Sequence, residues 1–100
     1  MPTIDGETSR YVGPDGSITL TCRFSSVHLL GTTWLLKGED VSANLGEGNS
    51  VNNDLTTSTL TFTQFNATLH KGAYQCRVQG LLGDLVSRTV DVLPAGEWQW

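Results

Sequence analysis

Three stretches of this chain alternate apolar and polar side chains with a period of two, and both of its cysteines sit on apolar rows of that alternation. Ile18, Leu20, Cys22 and Phe24 alternate with Ser17, Thr19, Thr21 and Arg23; Ser58, Leu60 and Phe62 alternate with Thr57, Thr59, Thr61 and Thr63. Tyr74, Cys76 and Val78 alternate with Ala73, Gln75, Arg77 and Gln79. Successive side chains of a strand point to opposite faces, so each stretch reads as a strand with one face in a core and the other in water. The β-branched threonines suit the wet face of a pleated sheet.

Around these anchors, the turn residues Pro14, Asp15 and Gly16 precede the first strand, and Val12 closes a short earlier one. A further strand runs through Trp34 and Leu36 to Gly38, with Leu35 on the opposite face, which is expected to be partly covered as well. Residues 39–54 are rich in Gly, Asn and Ser and read as loops around one or two short edge strands. The last strand is expected from about Leu85 to Leu93. Val86, Val90 and Val92 share a parity that Arg88 interrupts, which calls for a bulge near Arg88. Pro94 and Gly96 end it. Phe65 is expected to cap the core, and no helical stripe of useful length occurs. About seven short strands separated by turns predict an all-β antiparallel sandwich, in which each sheet buries one face against the other.

One hundred residues suffice for one domain with one core, set here at residues 1–95 with a C-terminal tail or linker at 96–100. The net charge of -4, with no cluster of Lys or Arg, opposes binding to nucleic acid or to an anionic membrane surface. No apolar run reaches the roughly 20 residues that span a bilayer, so the domain is not expected to insert directly. The opening residues lack the pattern of a signal peptide, and the chain is expected to be one domain excised from a longer protein. Cys22 and Cys76 have no CxxC neighbour, and His28 and His70 stand at no zinc-finger spacing from them, so neither metal nor cofactor is expected. A reactive thiol would need a positioned base, for which nothing speaks. If the two cysteines pair, no thiol is left over.

Cys22, Trp34 twelve residues later, the segment STLTF around Leu60, and GAYQC ending at Cys76 together resemble an immunoglobulin superfamily domain over about Val12 to Val92. The order and spacing of these anchors make the signal specific. The resemblance implies a Greek-key sandwich with a disulfide from Cys22 to Cys76 between the sheets, Trp34 packed over the sulfurs, and Tyr74 making a tyrosine corner. The 54-residue separation of the cysteines is short for the variable type and points to an I-set or C2-set domain. Such domains usually carry an Asp two places before the glycine of GAYQC, paired to an Arg near the fourth strand. Here that position is His70, and no Arg lies between Gly31 and Lys71, so both partners are missing together.

Several residues are candidates for function. Asn66, Ala67 and Thr68 form a glycosylation sequon in the turn before GAYQC. Leu29 and Leu30, in the loop SSVHLLGTT, and Leu81 and Leu82, in the loop QGLLGD, fall at one end of such a sandwich. There they either plug the core or form an interaction patch. Asp84 is a candidate contact for a partner-held metal, against the plainer reading of a Gly-Asp turn. Trp98 and Trp100 could pack back on the domain, begin a linker, or contact another copy. His28 and His70 read as solvated surface residues, and VNND at residues 51–54 is too short an acidic stretch to hold calcium.

The resemblance implies a non-catalytic module for protein recognition or adhesion, with a protein partner that could be a second copy. It would belong to the extracellular region of an adhesion protein or of a cell-surface receptor, a class that includes receptors with a cytoplasmic tyrosine kinase. Similar domains also act as structural spacers inside muscle and cytoskeletal proteins with reduced cysteines. An enzyme is the remote third alternative, since no Ser, His and acid constellation is indicated.

Overall fold

The computed structural model describes residues 2–25 and 29–94; of Leu29 it describes the backbone alone. Trp98, Trp100, His28 and the expected tail at 96–100 lie outside the described residues.

The strands are β1 (Thr3–Ile4), β2 (Ser9–Tyr11), β3 (Ile18–Arg23), β4 (Leu29–Leu36), β5 (Glu39–Asp40), β6 (Asn49–Asn53), β7 (Thr57–Phe62), β8 (Gly72–Gly80), β9 (Gly83–Val86) and β10 (Val90–Leu93). Helical structure among the described residues is confined to a 3-10 turn at Val41–Asn44 and the single turn α1 (Ala67–His70). One sheet has the order β1-β3-β7-β6; the other has β2-β10-β8-β4-β5, with β9 also paired to β8. All ladders are antiparallel except β2 with β10, because the leading segment leaves the first sheet after β1 and runs alongside the last strand of the second.

The three alternating stretches form β3, β7 and β8 in the register that puts their apolar rows inside. Leu20, Cys22, Leu60, Phe62, Tyr74 and Cys76 are all buried. Across the sandwich Val90 and Val92 complete the core, and Phe65 packs against it as expected. Leu35 is buried on the outer face of the second sheet, in register with Asp40 and Gln75.

The break in the last strand is a bulge. Ser87, Arg88 and Thr89 stand opposite Gln75 and Cys76 alone, between the pairs Val86↔Arg77 and Val90↔Tyr74. An extra residue leaves a ladder N–H without its usual partner. Ser87 supplies the replacement: it is buried, and its Oγ accepts the Cys76 N–H at 2.9 Å while donating to the Arg88 carbonyl. The bulge also explains why Val86 is exposed although it shares sequence parity with buried Val90. The Arg88 guanidinium is drawn to the carbonyls of Ile4 and Gly6, fastening the leading segment across the gap between the sheets.

The structure corrects two expected boundaries. The strand through Trp34 begins at Leu29, so Leu29 and Leu30 belong to β4 rather than to a loop. β8 continues to Gly80 and β9 starts at Gly83, which shrinks the expected QGLLGD loop to a tight hairpin with Leu81 and Leu82 at its tip. Asp84 is therefore a strand residue, paired with Gln79.

Candidate functional site

Cys22 and Cys76 are bonded, with Cα atoms 6.3 Å apart, and join β3 of one sheet to β8 of the other. Trp34 is the register partner of Cys76, and Ser58 that of Cys22. The Trp34 indole N–H donates to Ser58 Oγ at 2.9 Å, and Ser58 in turn donates to Asn53 Oδ1. A hydrogen bond thus crosses the sandwich beside the covalent bridge, and it accounts for a serine on the otherwise apolar row of β7. Cys22, Cys76, Trp34 and Ser58 are fully buried and serve the fold.

The two ends of the sandwich differ. At the end where β3 and β8 begin, chain reversals are tied to one another by side chains. Tyr74 donates its hydroxyl to the His70 carbonyl, which forms the tyrosine corner, and burial pushes the phenol pKa far up. His70 is itself buried, which overturns its reading as a solvated surface residue. Its Nδ1 accepts the Asn66 N–H at 2.9 Å, which leaves the ring proton on Nε2 to be donated to the Asn44 carbonyl at 2.7 Å. The ring packs against Phe62 and Phe65. His70 therefore binds the turn before β8 to the segment before β6. The Asp and Arg pair usual in this type of domain would join the same regions, and here neutral hydrogen bonds do so.

Asn49 adds a second clasp: its Nδ2 donates to the carbonyls of Leu45 and Gln64, and its Oδ1 accepts the N–H groups of Thr63 and Gln64. Gly72 belongs to this end too. Its φ is +143°, a backbone conformation that strains any residue with a Cβ, which favours the glycine opening GAYQC where the β4–β5 turn meets β8. A groove of about 200 Å³ lies here, lined among others by Leu36, Asp40, Asn44, Leu69 and His70.

At the opposite end the chain reversals present leucines to water. The β8–β9 tip exposes Leu81 at 64% and Leu82 at 93%. Leu30 is 66% exposed because β4 slips register between Leu29 and Gly31, which leaves Leu30 as the extra residue of a bulge. Of Leu29, whose side chain is outside the description, only the pairing with Gly80 is seen. Two further leucines join this set that the sequence did not single out: Leu55, 72% exposed on the β6–β7 hairpin, and Leu85, 51% exposed on β9. Pairing fixes their common location. Arg23 lies opposite Thr57, the Phe24 N–H bonds the Thr56 carbonyl, and Leu29 lies opposite Gly80, so both hairpins flank the link between β3 and β4.

Leu30, Leu55, Leu81, Leu82 and Leu85 are exposed rather than plugged into the core, and the acidic side chains near them, Asp54 and Asp84, are exposed too. Arg23, the cation nearest that end on β3, is taken up by Asp5 at 2.9 Å. Among the described residues no three His, Cys, Asp or Glu side chains group as metal ligands, and no helix is long and apolar enough to cross a membrane.

No family model matches the chain, and no curated protein matches it. Solved structures do. A titin structure of the tandem immunoglobulin domains A164-A165 superposes with a TM-score of 0.74 at 14% identity, over 93% of this chain and 48% of that one. The chain thus spans about half the length of that tandem structure. The titin M3 domain superposes with a TM-score of 0.72 at 15% identity, over 93% of this chain and 95% of that one. At such identities the likeness concerns the fold. With its two packed sheets, the chain has an immunoglobulin-like fold.

Proposed function

We propose that this domain is a non-catalytic protein-recognition module, from the extracellular region of a cell-surface receptor or adhesion protein, that binds through the leucine-bearing end of the sandwich. The observation that carries this reading is the exposure of Leu30, Leu55, Leu81, Leu82 and Leu85 on neighbouring segments at one end. Leucine is a poor turn residue and gains nothing from facing water. Several exposed together at one end, beside a rim of polar and acidic groups, are the pattern of an interaction surface. The sandwich serves as a rigid mount for these segments.

Asp54 and Asp84 make the rim negative, which suits a protein partner with apolar anchors and a cationic margin. Two copies meeting end to end would oppose like charges, so a different protein fits better than the homophilic alternative. The bonded cysteines favour an oxidising compartment, since cytosolic thiols are kept reduced. The spacer role inside muscle or cytoskeletal proteins leaves the leucines without a purpose.

The test is binding of the purified domain to an array of extracellular proteins, compared with Leu81→Ser/Leu82→Ser. Loss of a specific signal in the double variant, with an unchanged melting temperature, is the expected result. Equal binding by both would reject this end as the site, and dimerisation of the wild type in sedimentation would restore the homophilic reading.

A further inference from the structure

We propose that Asn66 carries an N-linked glycan that projects from the end of the sandwich opposite the leucines and covers Leu69. The inference rests on the extracellular reading above, because the transfer needs a lipid-linked oligosaccharide of the secretory pathway. In that reaction Asn66 Nδ2 forms a bond to C1 of the first sugar, loses a proton, and displaces the lipid pyrophosphate.

Four observations point to this residue. Asn66, Ala67 and Thr68 are all exposed, so the whole sequon stands at the surface. The Asn66 side chain is held by the Thr68 and Leu69 N–H groups at 2.9 and 3.1 Å, and both bonds go to Oδ1. That fixes the amide with its oxygen toward the backbone and Nδ2 toward solvent. Glycosylation leaves Oδ1 an acceptor, so the modified chain keeps both bonds. The backbone N–H of Asn66 is bound to buried His70, which anchors the attachment point on the tied end rather than on a free loop.

Leu69 supplies the fourth. It is 54% exposed although its backbone is fastened to the Asn66 side chain, and it lies far from the leucine end that the proposed function uses. The first sugar, attached three residues away, presents an apolar face to this side chain and takes it out of water, which gives the glycan a role as cover.

Placement follows from topology. Asn66 stands between the end of β7 and the start of β8, whereas the leucines lie where β3 and β8 finish. A bulky glycan at Asn66 therefore leaves the recognition end open, whereas the same glycan on the β6–β7 or β8–β9 hairpin would block it.

The experiment is intact-mass and peptide analysis of the chain from the cells that naturally make it, before and after peptide N-glycosidase, with the state of Cys22 and Cys76 read in the same sample. A glycan on the Asn66 peptide, released by the enzyme, is expected alongside an intact bridge. An intact bridge without glycan overturns this inference and leaves the recognition reading standing; reduced cysteines without glycan overturn both.

In secreting cells, Thr68→Ser should keep the glycan. Thr68→Ala should lose it while retaining the backbone bond to Asn66, which separates the sugar from the turn. Protection of Leu69 from solvent-accessible labelling should fall in Thr68→Ala alone, and equal labelling of all three proteins would overturn the glycan's role as cover.

Discussion

At the end of the sandwich where β3 and β8 begin, Tyr74, His70, Asn66 and Asn49 spend their polar atoms binding one chain reversal to the next. At the other end the β6–β7 and β8–β9 hairpins and the bulge of β4 offer leucines to water. One hundred residues bury a modest core, so such a domain has little stability to spare. The contrast teaches where this chain can carry an apolar surface: the side chains of the tied end are taken up in holding the fold, whereas Leu30, Leu55, Leu81, Leu82 and Leu85 stand outside the core.

Removing the constraint common to both ends should have the largest effect. Cys22→Ala/Cys76→Ala opens a loop closed over 54 residues, and should lower the unfolding free energy by about 4 kcal/mol in the chain-entropy account. Urea denaturation measures it, and a loss under about 1 kcal/mol would show that the core holds the sheets together unaided.

The tied end comes next. His70→Ala leaves the Asn44 carbonyl and the Asn66 N–H without partners and opens a void against Phe62 and Phe65. A loss of about 2–4 kcal/mol is expected from the same denaturation experiment.

A smaller effect concerns pH. Burial raises the Tyr74 pKa above its unfolded value, so the folded chain retains a proton that the unfolded chain releases. The contribution is complete below the tyrosine range near about pH 10 and fades as pH rises beyond it. The stability gap between wild type and Tyr74→Phe should therefore narrow above about pH 10, as measured by thermal melts across the alkaline range. A constant gap would place the phenol in contact with water.

The strands that build the core were legible because burial on one face imposes a period of two, which β3, β7 and β8 display without interruption. The bulge near Arg88 was legible as a break in that period. Its cure by Ser87 was not, since the need for an acceptor arises only once β8 and β10 are paired. The two-residue strand β1 is too short to show any period.

Histidine 70 misled for a related reason. The local text around it is polar, and its burial follows from contacts with Asn44, distant in sequence. The sequence did mark the position, through the absence of the Asp and Arg pair usual in such domains, but a pair of that kind contributes little when exposed, and its loss gave no sign that His70 is buried. Of the leucine end, Leu29, Leu30, Leu81 and Leu82 stood out in the sequence, although as loop residues. Leu55 and Leu85 joined them only when strand pairing brought their segments together.

The most direct test of this division is urea unfolding of Leu81→Ser/Leu82→Ser. Side chains this exposed contribute little to the folded state, and a change within about 0.5 kcal/mol of wild type is predicted. A loss of about 2 kcal/mol or more would mean that these leucines pack into the fold, and would contradict the assignment of this end to recognition.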